Sequence, residues 1–265
     1  MKRRLRNIVQ TILPWIIPIL LIITWQLLSV YGILSNRILP APSDVYFAAV
    51  HLLKTGDLFH HVWISLCRAV IGFIIGGTVG FLFGLFNGLF KISEILFDTS
   101  IQMLRNIPHL ALIPLVILWF GIGEEAKIFL VALGVLFPVY LNTYHGIKSV
   151  DPGLIEMGKI YGMKGISLFT HIIFPGALSS ILVGIRFSLG IMWISLIVAE
   201  TISSTSGIGY MAMNAREFMQ MDVVVLSILL YALLGKASDI IARFFEEKCL
   251  KWNPNYKKRK SHNRV

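Results

Sequence analysis

Long apolar stretches alternate with short polar ones along this chain, and the apolar stretches can be measured against a lipid bilayer. A hydrocarbon core about 30 Å thick takes roughly 20 apolar residues in a helix. Residues 7–36 carry no charge and hold a first span near 12–34. It is too long for a signal peptide and lacks a clear small-residue cleavage site. The uncharged run 69–90 gives a second span near 64–89. Residues 106–123 make a third, interrupted by Pro108 and Pro114, and 128–147 a fourth, containing Pro138. A polar stretch follows, then a fifth span near 178–199 and a sixth near 223–244. The pattern predicts an all-α polytopic membrane protein with six transmembrane helices.

Composition excludes most alternatives. Hydrophobic residues make up 56% of the chain and charged ones 14%, with a mean hydropathy of +0.75. Soluble proteins carry about 25% charged residues, so a soluble enzyme, a disordered chain and a nucleic-acid binder are all ruled out. The net charge of +10 sits mainly at the ends, in Lys2, Arg3, Arg4 and Arg6 and again in Lys248, Lys251, Lys257, Lys258, Arg259, Lys260 and Arg264. Basic segments beside apolar spans mark the cytoplasmic side. With the N-terminus inside, 16 of the 24 Lys and Arg fall in cytoplasmic segments. Arg37, Lys54, Lys127 and Arg216 fall outside, and the bias predicts cytoplasmic termini at both ends. Cys67 and Cys249 lie far apart and form neither a disulfide framework nor a metal cluster.

Glycines at 72, 76, 80, 84 and 88 recur every four residues in the second span, on one helix face where another backbone can come close. This face serves either static packing or a sliding surface. Pro108, Pro114 and Pro138 remove backbone hydrogen bonds, which is tolerated where protein or a water-lined cavity satisfies the freed groups.

Residues 148–176, on the basic side, carry helix punctuation. Asp151 suits an N-cap, Pro152 the first helical position and Gly162 a left-handed cap. Between them Leu154, Ile155, Met157, Ile160 and Tyr161 give an apolar surface, with Glu156 and Lys159 polar. A second amphipathic turn is expected over 166–174, and Pro175 begins the return into the membrane. A helix this short needs something to dock against.

Glu156-Met157-Gly158, three residues, Gly162, nine residues, then Ile172-Ile173-Phe174-Pro175 resembles the EAA loop of ABC-importer permeases. That family pattern reads Glu-Ala-Ala, three residues, Gly, nine residues, Ile-x-Leu-Pro. Met157 and Gly158 depart from the paired alanines, and Phe174 replaces leucine. Arg105-Asn106-Ile107-Pro108-His109 through Leu118-Trp119-Phe120-Gly121, and Ala199-Glu200-Thr201-Ile202 through Gly207-Ile208-Gly209-Tyr210, are similar to the nitrate/sulfonate/taurine permeases. Asn214-Ala215-Arg216-Glu217-Phe218 to Trp252-Asn253-Pro254 resembles the aliphatic sulfonate group within them.

The resemblance implies a type I ABC-importer permease bundle in a bacterial plasma membrane. Two copies would form a homodimeric pore, with two cytoplasmic ATPase subunits docked below and an extracytoplasmic sulfonate-binding protein delivering cargo. It divides the chain into a basic N-terminus (1–11), a permease domain (12–247) with its coupling loop (148–176), and a basic tail (248–265). Glu156, Met157, Gly158, Gly162 and Pro175 would couple the pore to the ATPase.

The chain carries no P-loop, since Gly235-Lys236-Ala237 lacks the hydroxyl and the loop before it. No catalytic triad or metal-ligand spacing can be assembled. No cofactor is therefore expected on this chain, and ATP-Mg would be used by the partner. His60 and His61 read as solvated loop residues. Intramembrane ionisable groups are functional suspects, and Arg186, Arg105 and Arg68 are candidates for meeting a flat oxyanion. Arg68 and Arg105 could instead snorkel to lipid phosphates. Glu200 is expected to cap an outer loop, and Lys236 to pair with Asp239. Taurine, nitrate or another small anion is an alternative cargo. A secondary transporter would call for paired intramembrane carboxylates or internal repeats, and neither is found.

Overall fold

The computed structural model describes residues 2–36 and 38–252, with backbone alone for 2–12, 14, 15 and 203. All regular structure among the described residues is helical. The chain forms two compact units, residues 1–63 with 206–230 and residues 64–205 with 231–265.

The first unit contains α1 (Lys2–Val30), α2 (Pro42–Thr55), the opening of α3 (Asp57–Leu89) and the later helix α10 (Ile208–Glu217). Gln26 on α1 accepts the Ser43 N–H at 3.1 Å and donates to its hydroxyl at 3.3 Å, which fixes the start of α2. Gly56 closes α2 at φ 86°, a left-handed position that suits a residue without Cβ. His60 and His61 lie on α3 rather than in a loop. His61 accepts the Gly207 N–H at 3.1 Å and packs on Tyr210, so it is a structural contact within this unit and not a solvated residue.

The second unit centres on α6 (Glu124–Lys148), whose Leu130, Val131, Val135, Val139 and Tyr140 are buried. The glycine face of α3 lies against it. A Cβ at Gly72 would sit 2.6 Å from Val131 Cγ1 and one at Gly84 2.7 Å from the Tyr140 carbonyl, while Gly76 and Gly80 press on the Ala132 and Leu136 carbonyls. Dispersion between closely apposed backbones holds such helices together in lipid. On its other side α6 meets α9 (Phe174–Ser203) through small residues. Ser180 donates to the Asn142 carbonyl at 2.8 Å, and a Cβ on Gly184 would meet Asn142.

The third expected span is not one straight helix. Residues 91–105, expected as a connection, form α4 (Lys91–Arg105). A 3₁₀ turn (His109–Leu112) leads into α5 (Ile113–Phe120), and the two segments meet at 81°. Pro108 disfavours helical backbone in the residue before it and ends α4, whereas Pro114 sits in the first turn of α5, where it is tolerated. Pro138 stays inside α6.

After α7 (Pro152–Ile160) the chain does not make a separate turn over 166–174. It continues through α8 (Gly165–Leu168) and a π-helical turn (Phe169–Ile173) into α9, a single rod over Gly165–Ile202. Pro175 lies in that rod just beyond the π turn. The wider turn supplies the local adjustment that an intrahelical proline requires. The chain ends its described course with α11 (Met221–Cys249).

Among the described residues, four helices are long and apolar enough to cross a bilayer (Asp57–Leu89, Glu124–Lys148, Gly165–Ile202 and Met221–Cys249), and the bent pair makes a fifth if counted as one span. In α1 the described apolar stretch is Ile16–Val30. A sixth crossing would therefore be α1, the first of the expected spans, whose first side chains lie outside the described residues. Of the expected basic termini, the side chains of 1–11 and residues 253–265 also lie outside them, as does Arg37.

Candidate functional site

The helix that sequence punctuation marks in the 148–176 segment has its caps formed. The Asp151 carboxylate accepts the Gly153 N–H at 2.9 Å, and Pro152 occupies the first turn. At the other end Gly162 has φ 81°, with its N–H on the Lys159 carbonyl at 3.0 Å and the Met163 N–H on the Gly158 carbonyl at 3.0 Å. These two bonds are the Schellman closure, which satisfies carbonyls a helix end otherwise leaves open.

The two faces of α7 differ. Gly158 is buried, and a Cβ there would collide with the Cδ1 atoms of Ile172 and Leu168. Ile172 thus fills the space that a methyl group at position 158 would take. Ile155, on the same face, packs into the cluster of Ile147, Val150, Ala177 and Ile181. The rest of its surface is open: Glu156, Met157 and Ile160 lie opposite Gly158, Leu154 and Tyr161 flank them, and Ile160 and Tyr161 are 85% and 77% exposed. One face of this short helix is bolted to the bundle and the other offers an apolar surface around a carboxylate. A patch of that kind on a polar loop marks a surface for another protein.

Inside the bundle the charges are gathered into clusters. Arg68 on α3 is 2% exposed and does not reach for lipid. Its Nε and Nη2 grip Glu124 at 2.5 and 2.6 Å, its Nη1 donates to Glu200 at 2.7 Å, and Ser204 lies 3.2 Å away. Glu200 is buried at 1% exposure and accepts from Ser65 at 2.8 Å and Tyr231 at 2.9 Å, so it does not cap a loop. Lys127 joins Glu124 at 3.1 Å. Two cations and two carboxylates cancel, as burial in a low-dielectric interior demands.

Arg186 on α9 pairs with Asp239 on α11 at 2.6 Å and reaches Glu246 at 3.7 Å. Asp239 is not a local partner for Lys236 alone: Lys236 stands at 3.9 Å and Arg243 at 3.0 Å. A third network was not foreseen. Glu94 on α4 accepts from the Tyr144 hydroxyl at 2.5 Å and pairs with Lys148 at 2.6 Å. One turn along, Asp98 accepts from Tyr140 at 2.7 Å, and Tyr140 receives the Asn87 amide at 2.9 Å. The matching four-residue spacings, 94/98 on α4 and 140/144 on α6, were a signal available in the sequence.

The structure brings Glu156, Met157 and Gly158 together on α7, with Gly162 in the turn that closes it and Pro175 on the rod that follows. It keeps the three candidate arginines apart. Arg68 and Arg186 are spoken for by carboxylates, whereas Arg105, at the end of α4, is exposed and makes no ion pair among the described residues. No cluster of three or more metal-ligating side chains is present among the described residues.

A bundle of apolar helices with buried, neutralised charge and a loop helix open on one face defines a polytopic membrane protein that works with a partner. The family model for the binding-protein-dependent transport system inner membrane component matches residues 76–251. The chain belongs to that family, the ABC transporter permeases. It is 60% identical over 243 residues, 92% of each chain, to the putative aliphatic sulfonates transport permease protein SsuC of Escherichia coli (strain K12). Identity to the Bacillus subtilis (strain 168) protein of the same name is 44%, covering 91% of this chain and 87% of that one. The taurine transport system permease protein TauC of Escherichia coli (strain K12) is 31% identical, over 88% and 86% of the two chains. Among solved structures, an amino acid ABC transporter chain superimposes with a TM-score of 0.63 at 18% identity, covering 76% of this chain and 97% of that one. The MetNI methionine ABC transporter, inward facing, gives 0.56 at 19% identity, over 69% and 93%. Both share the fold.

Proposed function

We propose that this chain is the membrane-spanning subunit of a bacterial ABC importer for aliphatic sulfonates, driven by ATP-Mg hydrolysed on a separate subunit. Two copies form the pore, two ATPase subunits bind from the cytoplasm, and an extracytoplasmic binding protein delivers the sulfonate. The chain is a multi-pass protein of the plasma membrane with both termini in the cytoplasm. The permease domain occupies 12–247, between the basic segments 1–11 and 248–265. The cargo reading is supported by the identity gap between the SsuC relative, at 60%, and TauC, at 31%.

The observation that carries the mechanism is the two-faced α7. Glu156 and Met157 lie on its open face and engage a groove of the ATPase. Gly158 seats α7 on Leu168 and Ile172, and Gly162 ends it with a fixed turn. Leu168 and Ile172 belong to the 38-residue rod Gly165–Ile202, about 57 Å long at 1.5 Å per residue, which also carries Pro175. Glu200, near the far end of the rod, is held by Arg68. Closure of the ATPase pair on ATP moves α7, and the rod carries that displacement across the bilayer as a rigid-body switch between inward and outward access.

The test is uptake of labelled alkanesulfonate into proteoliposomes containing the permease, with ATP, the ATPase and the binding protein present or omitted one at a time. Uptake that needs all three supports the proposal. Uptake by the permease alone, driven by an ion gradient, overturns it.

A further inference from the structure

We infer that the break between α4 and α5 is a binding step for a small oxyanion half-way across the membrane, held by the Arg105 guanidinium with the Asn106 amide and the His109 imidazole. The inference rests on the importer reading above and assigns its cargo a resting place.

Two measures set the depth of the break. His109 Nε2 meets the Ser195 hydroxyl at 2.8 Å and stands against Gly134 of α6. Gly134 lies ten residues, about 15 Å, from the Glu124 end of that helix. From the other end, Glu94 is fixed to Lys148, the last residue of α6, and Arg105 lies eleven residues, about 16 Å, along α4 from Glu94. Helix α6 has 25 residues, so both measures put the break near its middle.

An arginine at that depth is costly unless it faces protein or a water-lined path. Arg68 and Arg186 meet this demand with carboxylates. Arg105 has no such partner among the described residues, is exposed, and stands where the helix unwinds. The Asn106 side chain beside it is exposed too. Backbone unwound at membrane depth persists where it lines a cavity or is covered by protein. His109 adds a directed donor. In the tautomer in which the Ser195 hydroxyl donates to Nε2, the ring proton sits on Nδ1, which makes no hydrogen bond among the described residues. A guanidinium fork, an amide and an N–H together match the flat oxygen face of a sulfonate or sulfate.

The complete complex in proteoliposomes, supplied with loaded binding protein and labelled ethanesulfonate, provides the test. Arg105→Gln is expected to lower the uptake rate at least about tenfold, the scale of one lost charge-assisted contact. Arg105→Lys should lose less and His109→Gln an intermediate amount, and the ATP consumed per sulfonate delivered should rise in each. Wild-type uptake in Arg105→Gln overturns the inference. So does loss of uptake in step with loss of the two-copy assembly, since Arg105 would then meet a carboxylate of the second copy. If Arg105→Gln fails to fold, Asn106→Ala and His109→Gln decide, and wild-type rates in both overturn it. Failure of the wild-type complex to take up sulfonate would instead sink the importer reading, so the two failures stay distinct.

Discussion

Replacing Arg68 with Met removes the cation shared by Glu124 and Glu200 and keeps most of the side-chain volume. The two carboxylates differ in what this does to them. Glu124 is 55% exposed and still has Lys127, whereas the Glu200 side chain is fully buried, with the neutral hydroxyls of Ser65 and Tyr231 among its remaining donors. Stranding a buried charge costs about 3–5 kcal/mol. For a chain of this size that lowers the unfolding midpoint by roughly 6–20 °C. Adding Glu200→Gln removes the stranded charge while an amide oxygen can still accept from Ser65 and Tyr231. The double variant should therefore recover more than half of the loss. The assay is thermal unfolding of the purified permease in detergent, followed by intrinsic fluorescence, as a double-mutant cycle. A double variant as unstable as the sum of the two singles would show that Arg68 and Glu200 are not coupled and would refute this reasoning.

Gly76→Ala and Gly77→Ala should part company, because a Cβ at 76 strikes the Ala132 carbonyl and one at 77 meets only Val135 Cγ1 at 3.9 Å. Unfolding midpoints are expected to drop for the first, by the 1–3 kcal/mol typical of overpacking, and to change little for the second. Glu156→Lys should leave the protein in the membrane and abolish ATP-driven uptake, as should Gly162→Asp, whose residue would be forced to φ 81°; vesicle transport beside membrane immunoblotting reads both. Gly158→Leu should unseat α7 from Leu168 and Ile172, and it should be seen as faster proteolysis of the loop along with lost uptake.

The coupling helix was the most legible part of the sequence, because its signals are local. Asp151, Pro152 and Gly162 act within a turn of where they stand, and each does what its chemistry requires. The glycine face of α3 was legible for the same reason, as a period of four residues. What the periodicity could not show was where it pointed, and Gly76 against Ala132 is a tertiary fact. The bend at Pro108 was signalled by the proline, yet α4 was missed because its apolar and polar residues balance over 91–105, leaving no long uncharged run. The Arg68–Glu200 pair joins residues 132 positions apart, and no local pattern links them. Taken alone, Arg68 reads as an oxyanion contact or a snorkelling residue and Glu200 as a cap, and their burial makes sense only together. Pro175 signals a boundary in the sequence, but the π turn before it absorbs the disruption and lets the helix run through.

The most direct measurement is cysteine cross-linking from the open face of α7 to the ATPase subunit. In a variant without Cys67 and Cys249, with Cys introduced by Met157→Cys, a short reagent with a thiol-reactive end and a photoreactive end should join permease to ATPase in the assembled complex. Capture should change when ATP is added, and the same position should be labelled from the cytoplasmic side of the membrane alone. Absence of any adduct with the ATPase, together with labelling of that position from the outer side, would contradict the account.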